Sequence, residues 1–175
     1  MLYHGTNRLA FYKKEVEKYT WTGHGSSNYL NDLSCSFLSA QLDQVSTITD
    51  ERTRIWHTYQ SQLAGLESKG YLKRPVFSNT DQHNGHIYFI LLDHLSVRNK
   101  LIVHLKRNGI DAFFHYQPLH QSKAGKSTGY FVGESIGTMI GGNCLLRLPI
   151  YHTMSEIEIN YVVASIYSFF KLSKV

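Results

Sequence analysis

The chain has 175 residues, 42% of them hydrophobic and 18% charged, and a formal net charge of +5. This length and composition are typical of a folded protein with one core and exclude a disordered chain, and no apolar run is long enough to span a membrane. Two cysteines are too few for a disulfide framework and indicate a reducing compartment, the cytoplasm. Lysine and arginine are scattered, so the positive charge does not indicate a nucleic-acid partner.

The first thirty residues are rich in Gly, Ser, Thr and aromatic side chains without a steady period, which predicts an irregular segment. Over residues 32–66 apolar residues recur every three or four positions, which predicts one long helix, or two joined near residues 46–49. Asn31 fits the N-cap of this helix, and Gly70 lies near its end. Cys35 lies inside it and is expected to be buried and unreactive.

The rest of the sequence alternates between β-rich and helical patterns. This order predicts a small α/β (α+β) layer with its helices on one face of a sheet. The predicted elements are a strand at 86–93, a helix capped by Ser96 and ended by Asn108 and Gly109, strands at 110–116 and 144–150, and a helix opened by a capping box of Ser155 and Glu158.

Three chemical motifs are weak when each is taken alone. The stretch AGKSTG has the end of a phosphate-binding loop, but His120 stands where the first glycine is needed, which predicts a flexible polar loop instead. The close histidine pairs at 83 and 86 and at 115 and 120 lack a neighbouring carboxylate, so no metal site is predicted. No nucleophile elbow is present, and no catalytic residue is predicted.

Seven short stretches carry a resemblance when they are taken together. They are GTNR (5–8), KYTW (18–21), GSS (25–27), DL (32–33), AQL (40–42), HYQPLH (115–120) and LLRLP (145–149). In this order they resemble the C-terminal portion of the DegT/StrS family of sugar aminotransferases, from about residue 5 to 170. Within that family the dTDP-4-amino-4,6-dideoxygalactose transaminases, which serve surface polysaccharide synthesis, are the nearest match.

The resemblance implies a fold-type-I, pyridoxal-phosphate-dependent architecture in which a large domain carries the Schiff-base lysine. Residues 1–45 would be the tail of that large domain and the dimer contact, and residues 46–175 the small C-terminal domain with a mainly antiparallel sheet. The family's lysine motif, S-F-x-x-x-K-N, has no counterpart in these 175 residues. A truncated nucleotide-sugar aminotransferase, inactive and without pyridoxal phosphate on its own, is therefore expected.

Two alternatives remain open at this point. In the first, the chain is one half of a split aminotransferase, with a separate large-domain partner. In the second, it is a non-catalytic module that binds a nucleotide-sugar or another small anionic ligand. A homodimer through residues 1–45 is expected in the leading interpretation.

The resemblance also implies site residues by position. Ser26 and Ser27 match a hairpin that reaches the cofactor phosphate across the dimer interface, and Asn28 is a candidate for the same contact. The residues matched to the nucleotide-sugar site are Asn7, Arg8, Tyr19, His86, His115, Tyr116 and His120.

Overall fold

A computed structural model describes residues 5–26, 30–77, 83–133 and 135–172. The chain divides into two compact units, residues 1–45 and 46–175. The helices are α1 (Arg8–Tyr12), α2 (Asp32–Asp43), α3 (Val45–Gln62), α4 (Ala64–Ser68), α5 (Leu95–Arg107), α6 (Lys123–Thr128), α7 (Ile136–Cys144) and α8 (Glu156–Leu172), and the strands are β1 (Tyr88–Leu91), β2 (Phe113–Phe114) and β3 (Leu145–Leu148). The predicted mixed α/β class is confirmed.

The first unit contains α1, an irregular stretch and α2. The Asn31 side chain accepts a hydrogen bond of 2.8 Å from the Ser34 amide, which confirms it as the N-cap of α2. None of the described residues of α2 is buried. Cys35 is therefore exposed, and the expectation that it would be buried is wrong. The helical period predicted the helix correctly, but the period alone cannot say whether anything covers its apolar face.

The long predicted helix is interrupted rather than continuous. Gln44 ends α2, α3 begins at Val45, and Leu63 separates α3 from α4. Gly70 follows α4 with a φ of 76°, a left-handed conformation that a side chain would strain. The predicted end of the helical region is thus confirmed, and of the two predicted forms the structure has the divided one, with the division at Gln44, just before residues 46–49.

The sheet of the second unit has the strand order β1-β3-β2, with β3 antiparallel to both neighbours. Tyr88 pairs with Leu148 and Ile90 with Leu146, and all four side chains are buried, so these alternate positions form the inner face. The strands are shorter than predicted. In particular, β2 pairs only through two phenylalanines, which remain exposed.

The core of the second unit lies between this sheet and the helices α3, α5 and α8. The period of each helix predicted its inward face correctly. The fully buried residues of the helices are Ile55, Tyr59, Leu66, Leu101, Leu105, Ile159 and Ile166, and Leu63 between α3 and α4 is buried as well. Tyr59 places a polar group in this core and satisfies it, because its hydroxyl donates to the Pro149 carbonyl at 2.9 Å.

The capping box that opens α8 is confirmed. The Ser155 amide and hydroxyl both donate to Glu158 Oε2 at 2.7 Å, and the Glu158 amide donates back to Ser155 Oγ at 3.3 Å. The start of α5 differs from the prediction. The helix begins at Leu95, after His94 rather than Ser96, and His94 makes no side-chain capping bond.

Three helices were not predicted from the sequence: α1, which lies in the segment expected to be irregular, α6 and α7. The stretch expected to be a flexible loop forms α6, whose first turn is fixed by Ser122 because its hydroxyl accepts from the Gly125 amide at 2.9 Å. The helix α7 has a sequence rich in glycine, which lowers helix propensity. Arg98, only 7% exposed, donates to the Gly142 carbonyl at 3.0 Å and so stabilises the last turn of α7 from α5.

No helix among the described residues is both long enough and apolar enough to cross a membrane.

Candidate functional site

In the first unit, Asn7 joins two segments that are distant in sequence. Its side-chain oxygen accepts from the Thr20 amide at 2.7 Å, and its own amide donates to the Thr20 carbonyl at 3.2 Å. An antiparallel bridge between Thr6 and Trp21 lies beside these bonds. Asn7 therefore joins the parts of the first unit that contain Arg8 and Tyr19, two other residues matched to the nucleotide-sugar site.

Arg8 and Tyr19 have separate neighbours within this unit. The Arg8 guanidinium donates to the Tyr12 hydroxyl through Nε at 3.1 Å and Nη2 at 2.8 Å. It also lies over the Tyr12 ring, 5.2 Å from the centroid. Tyr19 instead contacts Phe11 edge-on, with 5.7 Å between ring centroids. The guanidinium that the resemblance assigns to the nucleotide-sugar site thus contacts Tyr12, whereas Tyr19 contacts a different ring.

Of the three residues matched to the cofactor phosphate, Ser26 is described and lies at the surface. Ser27 and Asn28 lie outside the described residues. Their assignment to the phosphate stays a prediction.

In the second unit, His86 lies at the end of a tight segment that precedes β1. Its Nδ1 is 2.6 Å from Asn84 Oδ1, and its amide also donates to that oxygen at 3.3 Å. Gly85 has a φ of 60°, and it approaches the backbone of α3 so closely that a Cβ there would lie 2.7 Å from the carbonyl carbon of Arg52. This close approach fixes the position of the backbone next to His86 relative to α3.

The same segment contains His83, which sequence reasoning considered only as a metal ligand. Its ring packs on Trp56, with 4.5 Å between centroids, and on Phe77 at 4.8 Å. Its Nδ1 accepts a hydrogen bond from the Gly85 amide at 3.1 Å, which requires that nitrogen to be unprotonated. Burial of the ring lowers the pKa of His83 below its ordinary value, and the nearby His57 lowers it to a smaller extent.

This environment makes the stability of the second unit depend on pH. Because the folded-state pKa of His83 lies below the unfolded value of about 6.5, the unfolded chain binds more protons between the two values. We therefore expect the stabilisation from neutral His83 to be complete above pH 7.5 and to be lost as the pH falls below 6.5. Urea unfolding from pH 7.5 to 5.5 should show a smaller pH dependence for His83→Gln than for the unaltered chain. His152→Gln, an exposed histidine, is the control, and an unchanged slope in His83→Gln would refute the assignment.

The segment HYQPLH leads away from the end of β2. The His115 ring contacts Tyr116 edge-on at 5.4 Å, and the Arg147 guanidinium of β3 lies 5.6 Å from the Tyr116 centroid. Arg147 Nη2 donates to the Phe114 carbonyl at 3.2 Å. Within the described part of the chain, Arg147 Nε and His115 Nδ1 are buried without a hydrogen-bond partner. Unsatisfied buried nitrogen atoms are costly, so both atoms mark a local defect in the hydrogen bonding of this segment.

Arg147 is thus a candidate site residue that sequence reasoning missed. It lies within the quoted stretch LLRLP, but only the pairing of β2 with β3 places it beside Tyr116. Among the described residues no carboxylate lies within ion-pair distance of its guanidinium. An anionic ligand would supply the missing charge.

His120 is placed by a different neighbour. Its ring stacks on Phe131, with 4.2 Å between centroids and an angle of 22° between planes. Close behind it, Gly125 approaches Leu119 so tightly that any Cβ would overlap the Leu119 carbonyl. The three predicted histidines therefore have separate immediate contacts: His86 with Asn84, His115 with Tyr116, and His120 with Phe131.

The described residues by themselves do not fit a complete pyridoxal phosphate site. An imine-forming lysine is activated by burial or by a neighbouring cation, yet every lysine in the described part of the chain is exposed. No cluster of three metal-ligating side chains exists among the described residues either. Of the imidazole, phenol and guanidinium groups in the second unit, those of His115, Tyr116 and Arg147 lie next to one another.

Comparison with known proteins places these features in a family. The model of the DegT/DnrJ/EryC1/StrS aminotransferase family matches residues 1–167. An uncharacterized protein of Methanocaldococcus jannaschii is 26% identical over 171 residues, which cover 93% of this chain and 43% of that protein. This chain therefore spans less than half the length of that relative.

Solved structures show the same fold. The aminotransferase from Psychrobacter cryohalolentis superposes with a TM-score of 0.82 at 21% identity, over 97% of this chain and 47% of its own. Helicobacter pylori PseC, an aminotransferase involved in the biosynthesis of pseudoaminic acid, superposes with a TM-score of 0.79 at 18% identity, over 97% of this chain and 44% of its own. With a family model that matches nearly the whole sequence and a fold shared with these enzymes, the chain belongs to the DegT/DnrJ/EryC1/StrS aminotransferase family.

Proposed function

We propose that this chain supplies the C-terminal, substrate-facing part of a pyridoxal-phosphate-dependent nucleotide-sugar aminotransferase and has no transaminase activity on its own. One observation carries the proposal: the chain matches the family over residues 1–167 but spans only about 43% of its relatives' length. Every described lysine is exposed, so none occupies the desolvated environment that imine formation needs. The chemistry would come from a large domain that carries the lysine.

The proposed substrate class is a nucleotide-linked sugar, aminated in the cytoplasm for a surface polysaccharide, as in the dTDP-4-amino-4,6-dideoxygalactose transaminases that the sequence resembles. This finer assignment is supported by the stretches GTNR, KYTW and HYQPLH. His86, His115, Tyr116 and His120 would face the sugar, and Arg147 would join them. The residues proposed to lie near the nucleotide or cofactor phosphate are Asn7, Arg8, Tyr19, Ser26, Ser27 and Asn28.

The proposed partners are a second copy of the chain and a large domain, either of which would cover the exposed face of α2. Leu33 is 82% exposed, Phe37 69% and Leu38 45%, which is unusual for three large apolar side chains on one short helix. Burial of this face would stabilise the first unit, whose helix α2 has no buried residue of its own among those described.

The test is cofactor labelling of the purified chain. Pyridoxal phosphate is added, any imine is reduced with borohydride, and the labelled lysines are identified by mass spectrometry. We expect weak labelling distributed over many lysines, because all the described lysines are similarly exposed. Saturable labelling of a single lysine would overturn the assignment of an inactive chain.

A second candidate function is a non-catalytic module that binds a small anionic ligand. The Arg147 guanidinium favours it, because no carboxylate lies within ion-pair distance among the described residues and a ligand phosphate or carboxylate would supply that charge. Calorimetry with dTDP-glucose separates the two functions. Saturable heat that is lost in Arg147→Met but kept in Arg107→Met, an exposed arginine, would support the module. The absence of saturable heat would remove this candidate.

A further inference from the structure

A cleft of about 410 Å³ in the second unit contains none of the residues matched to the sugar or cofactor. It lies between the segment at 109–111, the turn after β3 and the first turns of α8. Its volume falls within the range of about 300–1,000 Å³ that is typical of small-molecule sites. The cleft is therefore a separate candidate for a ligand.

The walls of the cleft are aromatic and apolar, and the tyrosine rings are held in place. The Tyr161 hydroxyl donates to the Asn108 carbonyl at 3.1 Å, and the Tyr151 hydroxyl donates to Glu158 Oε1 at 2.8 Å. Met154 is buried and Ile157 is 81% exposed at the rim. Both tyrosine hydroxyl donors are thus used within the protein, and the rings remain for apolar contact.

The charged groups that line the cleft are the carboxylates of Asp111 and Glu158. The Ser155 amide and hydroxyl, together with the Tyr151 hydroxyl, lower the pKa of Glu158, so this group is ionised at neutral pH. Asp111 has no hydrogen-bond or ion-pair partner within the described residues. The cleft therefore offers negative charge and unused acceptors to a ligand.

We propose that this cleft binds a small organic cation, an ammonium or guanidinium group carried on an aromatic or branched apolar body. The cation would pair with Asp111, beside the negative charge of Glu158, while the apolar body would lie against Tyr151, Tyr161 and Ile157. Aromatic faces attract a cation as well, which adds to the pairing with the carboxylates. An anionic ligand is disfavoured because it would face two carboxylates with the tyrosine hydroxyl donors already used.

The experiment uses the full chain with 2-phenylethylamine as the probe and 3-phenylpropionate as an anion with a matched apolar body. Binding is followed by NMR through the methyl signals of Met154 and Ile157. We expect saturable shifts of both signals with the amine and much smaller shifts with the anion. Asp111→Asn should weaken binding of the amine by about tenfold, the scale of a lost charge-assisted hydrogen bond.

Asp93→Asn is the matched control, because it removes an exposed carboxylate from the same unit outside the cleft. It should leave the affinity for the amine unchanged. The proposal is overturned if the amine shifts neither signal at about 10 mM, which is ten times the dissociation constant of about 1 mM expected for a weak site. It is equally overturned if the anion binds as tightly as the amine, or if Asp111→Asn and Asp93→Asn have the same effect.

Discussion

Replacement of Gly85 by alanine should lower the free energy of unfolding of the second unit by about 2–4 kcal/mol. Two costs combine at this position. The φ of 60° is left-handed, which disfavours any side chain. The added Cβ would also lie 2.7 Å from the Arg52 carbonyl carbon and 2.8 Å from the Thr53 nitrogen, atoms of a helix backbone that cannot move aside easily. Urea unfolding followed by circular dichroism measures the loss.

Gly109→Ala separates these two costs. Gly109 has a similar φ of 71°, but nothing lies within 4 Å of its hypothetical Cβ. Its replacement should therefore cost only the conformational strain, about 1–2 kcal/mol. Equal losses for the two variants would show that the close approach of the Gly85 segment to α3 contributes nothing. Hydrogen exchange at residues 83–86 should also increase in Gly85→Ala and remain unchanged in Gly109→Ala.

Replacement of Phe37 by glutamate should weaken the proposed self-association of the chain by at least about thirtyfold, as expected for a central aromatic residue of an interface. Phe37 is 69% exposed on the apolar face of α2, so its ring has no role in the core of its own unit that the substitution would destroy. A buried carboxylate in the proposed interface would lack a partner, and the lost aromatic contact adds to that cost. Analytical ultracentrifugation over a concentration series gives the dissociation constants.

Ser39→Glu introduces the same charge on the same helix, at a position about 200° around the helix from Phe37 by the 100° step per residue. It should leave the association nearly unchanged. A chain that stays monomeric at the highest concentration would contradict the homodimer, and equal weakening in both variants would show only a charge effect. In either case the remaining proposal would be that a large-domain partner binds the exposed face of α2. Co-expression with such a domain can test it.

The second unit uses a polar network to hold the loop before the Gly85 segment. Arg74 forms an ion pair with Glu67, at 2.6 Å from Nη2 to Oε2, and also donates to the Gln60 carbonyl. Gln60 in turn donates to the Pro75 carbonyl at 3.0 Å and accepts from the Tyr88 hydroxyl at 2.9 Å. The loop is thereby linked both to α3 and to β1. The network therefore restricts the movement of this loop relative to both elements.

Much of the local structure could be predicted from the sequence. Asn31, and Ser155 with Glu158, cap helices through hydrogen bonds between residues three apart, so the pattern and the structure coincide. The inward faces of α3, α5 and α8 follow from the helical period in the same way. The family resemblance of the seven stretches also came from sequence order alone, and the match over residues 1–167 confirms the family.

Only the tertiary structure decided the rest, because it depends on residues that are distant along the chain. The glycine-rich α7 is stabilised by Arg98 of another helix, which no local propensity shows. Cys35 is exposed because none of the described residues of its unit covers α2, and Arg147 contacts Tyr116 because two strands pair. Interactions between residues within one turn of a helix can be predicted from the spacing of those residues in the sequence. Burial and charge pairing are set by which surfaces meet, and the sequence alone does not say which surfaces those are.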